Sequence, residues 1–245
     1  MLARVMWAFP LVAALVAFVF AGFLARQFED RRRPYQLIWM IALAMYGGAS
    51  LAVVAGAAGG WSRTEFQVYW ALGAVLNVPF LAAGELLLLF RRSGVLWVSS
   101  LALVFVTAYT VAVLRGAAMD ASALGANLPS GKHVFGDGSA AHRLPQLISI
   151  PSYVGLLAGA VWSAWSMRGR SELRDRLVGA LLIALGATVI AGFGSAFAAA
   201  GKLEAFSLAL LAGIALMFWG FVRASRPPAE RSVATEPATV SRRPA

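Results

Sequence analysis

The chain has 245 residues, 60% of them hydrophobic and 13% charged, with a formal net charge of +10 and a mean hydropathy of +0.74. Soluble domains sit near 45–50% apolar and ~25% charged, so this composition excludes an ordinary water-soluble fold and calls for lipid as the solvent. The lack of cysteine removes disulfides, thiolate metal sites and cysteine nucleophiles, and arginines scattered in short segments between apolar runs suit membrane topology better than nucleic-acid recognition.

The first apolar run, residues 5–24, follows Arg4 and is long for a signal-peptide core. It shows no small-residue cleavage site before Arg26, so it reads as a retained span. A charged turn ending at Pro34 leads to a second run, residues 35–57, and the segment Gly59–Glu65 leads to a third, residues 66–90. After Arg91 and Arg92 comes a fourth run, residues 94–114, then a polar connection, 115–144, too rich in glycine and proline for a tight turn. The fifth run, residues 145–167, opens on Pro145, and an arginine-rich segment separates it from the sixth, 177–200. Gly201 and Lys202 link to the seventh, 203–222, and residues 224–245 read as a disordered tail of proline and charge. The expected fold is therefore all-α, a polytopic bundle of seven transmembrane helices occupying residues 1–223.

Orientation follows from the basic residues. In a seven-span frame, fifteen of the 21 fall on one side, including Arg26, Arg31 to Arg33, Arg91, Arg92, Arg168 and Arg223; only Arg4, Arg63, Arg115, Lys132, Arg143 and Lys202 fall on the other. The positive-inside rule then places the amino terminus outside and the carboxyl terminus in the cytoplasm. Basic residues that are almost all arginine, with abundant alanine, glycine and valine, suggest a GC-rich bacterial genome, and the membrane is then expected to be a bacterial cytoplasmic one. Tryptophans near the predicted ends, Trp39, Trp97, Trp162, Trp165 and Trp219 inside and Trp7, Trp61 and Trp70 outside, match the preference of indole for the interface.

The third run is the most polar. Trp70, Gly73, Asn77, Leu81 and Gly84 recur at three- and four-residue steps and form one stripe, predicted to face other helices, with Glu85 at its edge. Pro79 has no backbone N–H, which leaves the Val75 carbonyl without its helical partner and predicts a kink; Pro151 predicts another beside Ser152 and Tyr153. Asn77 is a candidate for satisfying the freed group or for gripping a ligand. Glu85, six residues before Arg91, lies about 9 Å inside that boundary. A carboxylate there calls for an arginine partner, protonation or water. Hydroxyls gather in the outer half, among them Tyr69, Thr107, Tyr109, Thr110, Ser149, Ser152, Tyr153, Ser195 and Ser207, and predict an outward pocket capped by the 115–144 connection. Tyr69, Asn77, Glu85, Tyr109 and Tyr153 are the candidate ligand-binding or coupling residues. Small residues predict close helix packing at Gly48, at Gly155 and Gly159 of a GxxxG motif, and at Gly192.

Other motifs fail on inspection. Lys202 stands at the edge of the seventh span, where a retinal Schiff base has no place, and Pro145-Gln146 has no counterpart in the first span, as a PQ-loop transporter requires. His133 and His142 lie outside the apolar runs, and with Asp137 they show no metal-ligand spacing. No Walker, G-x-S-x-G or HExxH motif is present. No cofactor, metal or catalytic set is expected.

Arg33-Pro34-Tyr35, Trp39, Gly60-Trp61, Tyr69, Gly73, Asn77-Val78-Pro79, Leu81-Ala82 and Gly84 resemble a group of uncharacterised seven-span membrane proteins from actinobacteria and related high-GC bacteria. The resemblance covers mainly the second and third spans and implies an architecture, with no activity or catalytic residues attached. A looser likeness is to the seven-span input regions of bacterial histidine kinases, although the 23 residues after Val222 are too few for a kinase. The leading expectation is a non-enzymatic membrane protein that senses a small or lipophilic ligand or serves as an accessory subunit, with the bilayer and an unidentified ligand or membrane protein as partners. The alternatives are a proton-coupled transporter using Glu85 and a structural or lipid-interacting protein.

Overall fold

The computed structural model describes residues 7–90, 92–169 and 174–225. Arg4 and Arg91 fall outside the described residues, as does the predicted disordered tail from Arg226 onward. Eight helices follow one another: α1 (Ala8–Arg31), α2 (Pro34–Gly59), α3 (Arg63–Leu89), α4 (Ser93–Gly116), the short α5 (Gly131–Phe135), α6 (Ala140–Met167), α7 (Arg174–Ala199) and α8 (Leu203–Ala224). All but α5 are long and apolar enough to cross a bilayer, and no strand occurs among the described residues. The chain is an all-α integral membrane protein.

Local chemistry explains the boundaries. Arg32 takes a left-handed conformation (φ 49°) and its N–H caps the Phe28 carbonyl; Pro34 then opens α2 in the first turn, where its missing donor costs nothing. Helix α3 begins earlier than its apolar run because Ser62 and Glu65 form a reciprocal capping box, Ser62 Oγ accepting from the Glu65 N–H at 3.2 Å and Glu65 Oε2 from the Ser62 N–H at 2.7 Å.

The helices alternate in direction, so one end of the bundle carries the 117–139 connection (the loop end) and the other carries Arg32, Arg33, Phe90 and Arg92 (the arginine end). Around the bundle the order is α1, α2, α3, α6, α7, α8 and back to α1, while α4 lies outside this ring against α3. That position leaves Trp97 75% exposed and Leu101 72% exposed, a surface suited to lipid. Trp162, Trp165 and Trp219 are likewise exposed toward the arginine end. Trp39, Trp61 and Trp70 depart from the interfacial expectation: each indole N–H finds a backbone carbonyl inside the protein, Leu81 at 3.0 Å, Asn127 at 3.1 Å and Ala141 at 3.0 Å respectively, so they are packing residues.

The predicted stripe on α3 faces α2 as expected. Asn77 Nδ2 donates to the Ala42 carbonyl at 2.7 Å, a methyl group on Gly73 would come within 3.0 Å of Ala49 Cβ, and Gly84 is filled by the Trp39 ring. Gly48 lies near Leu72, and Gly159 receives the Glu85 side chain. Packing within the chain fails at Gly155, which is exposed with open space about it, because α6 turns that face away from the other helices. Gly192 is also open, so it packs no helix. Tight glycine packing occurs instead between α7 and α8, where methyl groups on Gly179 and Gly186 would each reach 2.5 Å from the carbonyl oxygens of Gly220 and Gly213.

Candidate functional site

Three stretches wind as π-helix, with hydrogen bonds that span five residues instead of the four of the α-helix around them: Tyr69–Leu76 in α3, Pro145–Ser149 in α6 and Val189–Gly194 in α7. Two of them precede the prolines that the sequence marked, Pro79 and Pro151. All three line one cavity of about 540 Å³ in the loop-end half of the bundle, and such segments occur most often at functional sites.

The cavity wall comes from α2, α3, α6, α7 and α8. Asn77 and Val78 lie deepest along α3; Tyr46, Ser50 and Val53 line the α2 side, Ser149 and Tyr153 the α6 side, and Phe206 and Leu210 the α8 side. Tyr46 donates its hydroxyl to the Leu210 carbonyl at 2.8 Å, tying α2 to α8. Tyr153 donates to Thr188 Oγ1 at 2.8 Å, tying α6 to α7. The π segments of α3 and α6 meet through Ser149, whose hydroxyl lies 2.7 Å from the Ala74 carbonyl and 3.0 Å from that of Val75. The longer arm of this shared contact reaches the carbonyl freed by Pro79. Tyr69 lines the cavity, and its hydroxyl has no hydrogen bond among the described residues, which leaves it available to an occupant.

The 117–139 connection folds down as a lid. Met119, Leu124, Leu128, Val134 and Phe135 are buried. Phe135 packs on Phe66 and Trp70, with ring centroids 5.5 and 5.7 Å apart, and Gly131 lies against the Trp70 ring. Arg63 Nη2 donates to the Met119 carbonyl at 3.3 Å, and Gln67 Nε2 to Leu114 at 3.1 Å. Lys132, His133 and His142 bring polar groups to the cavity mouth. Lys132 pairs with Asp137 at 3.1 Å, and the ammonium beside it holds that carboxyl below the usual carboxylate range. His133 Nδ1 lies 3.0 Å from Ser130 Oγ, while His142 Nδ1 is buried with no hydrogen-bond partner. Among the described residues no three His, Asp or Glu side chains converge to hold a metal.

Of the sequence-derived candidates, Tyr69, Asn77 and Tyr153 therefore meet at one cavity. Tyr109 does not: it is 43% exposed on α4 and stacks on Phe105 at 6.1 Å, outside the ring of helices. Glu85 lies half-buried at the α3–α6 contact, against Gly159, away from the cavity, and pairs with no arginine among the described residues. Of the outer-half hydroxyls, Ser149 and Ser195 line the cavity, whereas Thr107, Thr110, Ser152 and Ser207 do not. Sequence reasoning missed the π segments, the tie made by Tyr46 and the place of Lys132, His133 and His142 at the mouth. The two prolines and the Gly192–Gly194 pair were the available signals. No family model matches the chain, and neither a curated protein nor a solved structure matches it.

Proposed function

We propose that this protein is a non-enzymatic receptor of the bacterial cytoplasmic membrane that holds a small, largely apolar molecule in the capped cavity and reports its presence to a partner protein. The observation that carries this reading is the convergence of three π segments on a single space of about 540 Å³, within the 300–1,000 Å³ typical of ligand sites. The wall is mostly apolar, with a few polar groups to orient an occupant, Tyr69 and Asn77 foremost. Transport coupled to Glu85 is less well supported, since Glu85 does not line the space. The orientation proposed is loop end outward and arginine end toward the cytoplasm, on the basic-residue asymmetry. Resemblance to the seven-span actinobacterial group rests on residues that tie α2 to α3, Trp39, Asn77 and Gly84 among them, and is read as shared architecture.

The test is native mass spectrometry of protein extracted from its own membrane, followed by thermal unfolding with candidate ligands. The wild type is expected to retain a small molecule, and a ligand at 100 times its Kd adds about 2.7 kcal/mol of stability. Ala198→Phe fills the cavity and abolishes both effects without lowering the melting temperature of the empty protein, whereas Tyr69→Phe weakens binding by about 1 kcal/mol. A wild type that retains nothing and gains no stability that Ala198→Phe lacks would defeat the reading.

A further inference from the structure

The cavity has a side as well as a mouth. Helices α6 and α7 are tied by the Tyr153–Thr188 hydrogen bond at 2.8 Å, but toward the loop end no hydrogen bond joins them among the described residues. Gln146, Ile150, Gly192 and Ser195 there line the cavity and are also exposed, and a methyl group built on Gly192 would meet nothing within 4 Å. Leu147 (65% exposed) and Phe193 (60% exposed) flank this stretch with apolar surface. A space whose wall is open at membrane depth, beside apolar residues, communicates with lipid.

The chemistry changes along the cavity. No Asp or Glu lines it, while Lys132, His133 and His142 stand at the loop end. Lys132 uses one of its three donors on Asp137, which leaves two for another anion. Below them the wall is mostly apolar, with Tyr69, Asn77 and Tyr153 among its few polar groups. Trp70 and Asn77 are seven residues apart along α3, at most about 10 Å even at the α-helical rise, shorter than the ~15 Å of one leaflet's hydrocarbon. A chain of membrane length with its head at the mouth would therefore leave through the opening between α6 and α7.

We propose, resting on the cavity being a ligand site, that its occupant is a single-chain amphiphile with an anionic head group, admitted from the bilayer between α6 and α7. The head is held by Lys132, His133 and His142 and the tail passes Gly192.

The test uses the full chain in nanodiscs with a diazirine-bearing palmitate. Palmitate is expected to compete with photolabelling of α6 and α7 at least about tenfold more strongly than hexadecanol, a difference of about 1.4 kcal/mol. Lys132→Glu should narrow that gap. Gly192→Phe and Ile150→Trp, both at positions with free space or lipid exposure, should each cut the labelling rate about tenfold, with melting temperatures unchanged. Equal competition by hexadecanol would overturn the anionic head group. Wild-type labelling rates in both portal variants, with labelling still lost in Ala198→Phe, would overturn the lateral route and leave the cavity reading intact. If the probe fails to label a protein that retains some other molecule in the cavity, the amphiphile assignment falls alone. A protein that retains nothing at all would remove both.

Discussion

Ser149 brings a hydroxyl between two α3 carbonyls, Ala74 at 2.7 Å and, at 3.0 Å, the Val75 oxygen that Pro79 cannot serve. In an unbroken helix the Val75 carbonyl accepts from the N–H four residues on, which proline lacks; here a hydroxyl from α6 stands 3.0 Å away instead. In hydrocarbon an unpaired carbonyl has no water to turn to, so the two residues act as a unit. Ser149→Ala is expected to cost about 1 kcal/mol. In a Pro79→Ala background, where the restored N–H takes the Val75 carbonyl, the same change should cost much less. A double-mutant cycle of reversible unfolding in detergent measures the difference, and equal costs in both backgrounds would show that the two residues are uncoupled. Asn77 ties α3 to α2 through the Ala42 carbonyl. The same side chain also lines the cavity wall.

Glycine sets how closely elements approach. The pairs Gly179–Gly220 and Gly186–Gly213 each repeat after seven residues on antiparallel helices, so they stack along one seam of α7 and α8. Gly186→Val drives a side chain into the Gly213 backbone, with an expected loss of about 1–3 kcal/mol. Gly155→Val, on the exposed side of α6, should stay within about 0.5 kcal/mol of wild type. Unfolding curves for the two variants separate a packing glycine from a motif glycine, and equal losses would contradict the assignment. On the lid, Gly131 lies against Trp70. Gly131→Ala must move that ring, which also holds the Ala141 carbonyl and packs on Phe66 and Phe135. Amide exchange across residues 117–139 is expected to rise in this variant while exchange in α1 and α2 stays unchanged. Protection equal to wild type throughout would mean that Trp70 does not pin the lid.

At the scale of the molecule, the helix ring buries little of α4 and α6 and much of α2 and α3, so the part nearest the middle carries the polar stripe and the cavity. Lid and arginine turns lie at opposite ends. With the loop end outward, Lys132, whose side chain is 57% exposed, should react with a membrane-impermeant amine reagent in intact cells, whereas a tag on the carboxyl terminus should be reached only after permeabilisation. Mass spectrometry of the labelled peptide and protease protection of the tag measure the two halves. A shielded Lys132 with an accessible tag would invert the orientation.

Number, length and alternation of the spanning helices were legible in the residues themselves, because hydrocarbon tolerates only long apolar stretches whose backbone bonds are satisfied within the segment. The polar stripe of α3 and the carbonyl orphaned by Pro79 were equally readable, since both follow from local spacing and from one missing donor. The answer to that carbonyl lies 74 residues away in Ser149, and no local rule selects one hydroxyl among many. The same holds for glycines: a GxxxG pattern marks a flat face but does not say what covers it, and Gly155 meets no other helix of the chain while Gly179 and Gly186 meet α8. Only the order of helices around the ring decided that Tyr69, Asn77 and Tyr153 share a cavity, that Tyr109 and Glu85 do not, and that the gap between α6 and α7 gives the cavity a side. Helix formation in a bilayer is a property of each segment, whereas neighbour choice depends on close fit between surfaces far apart along the chain.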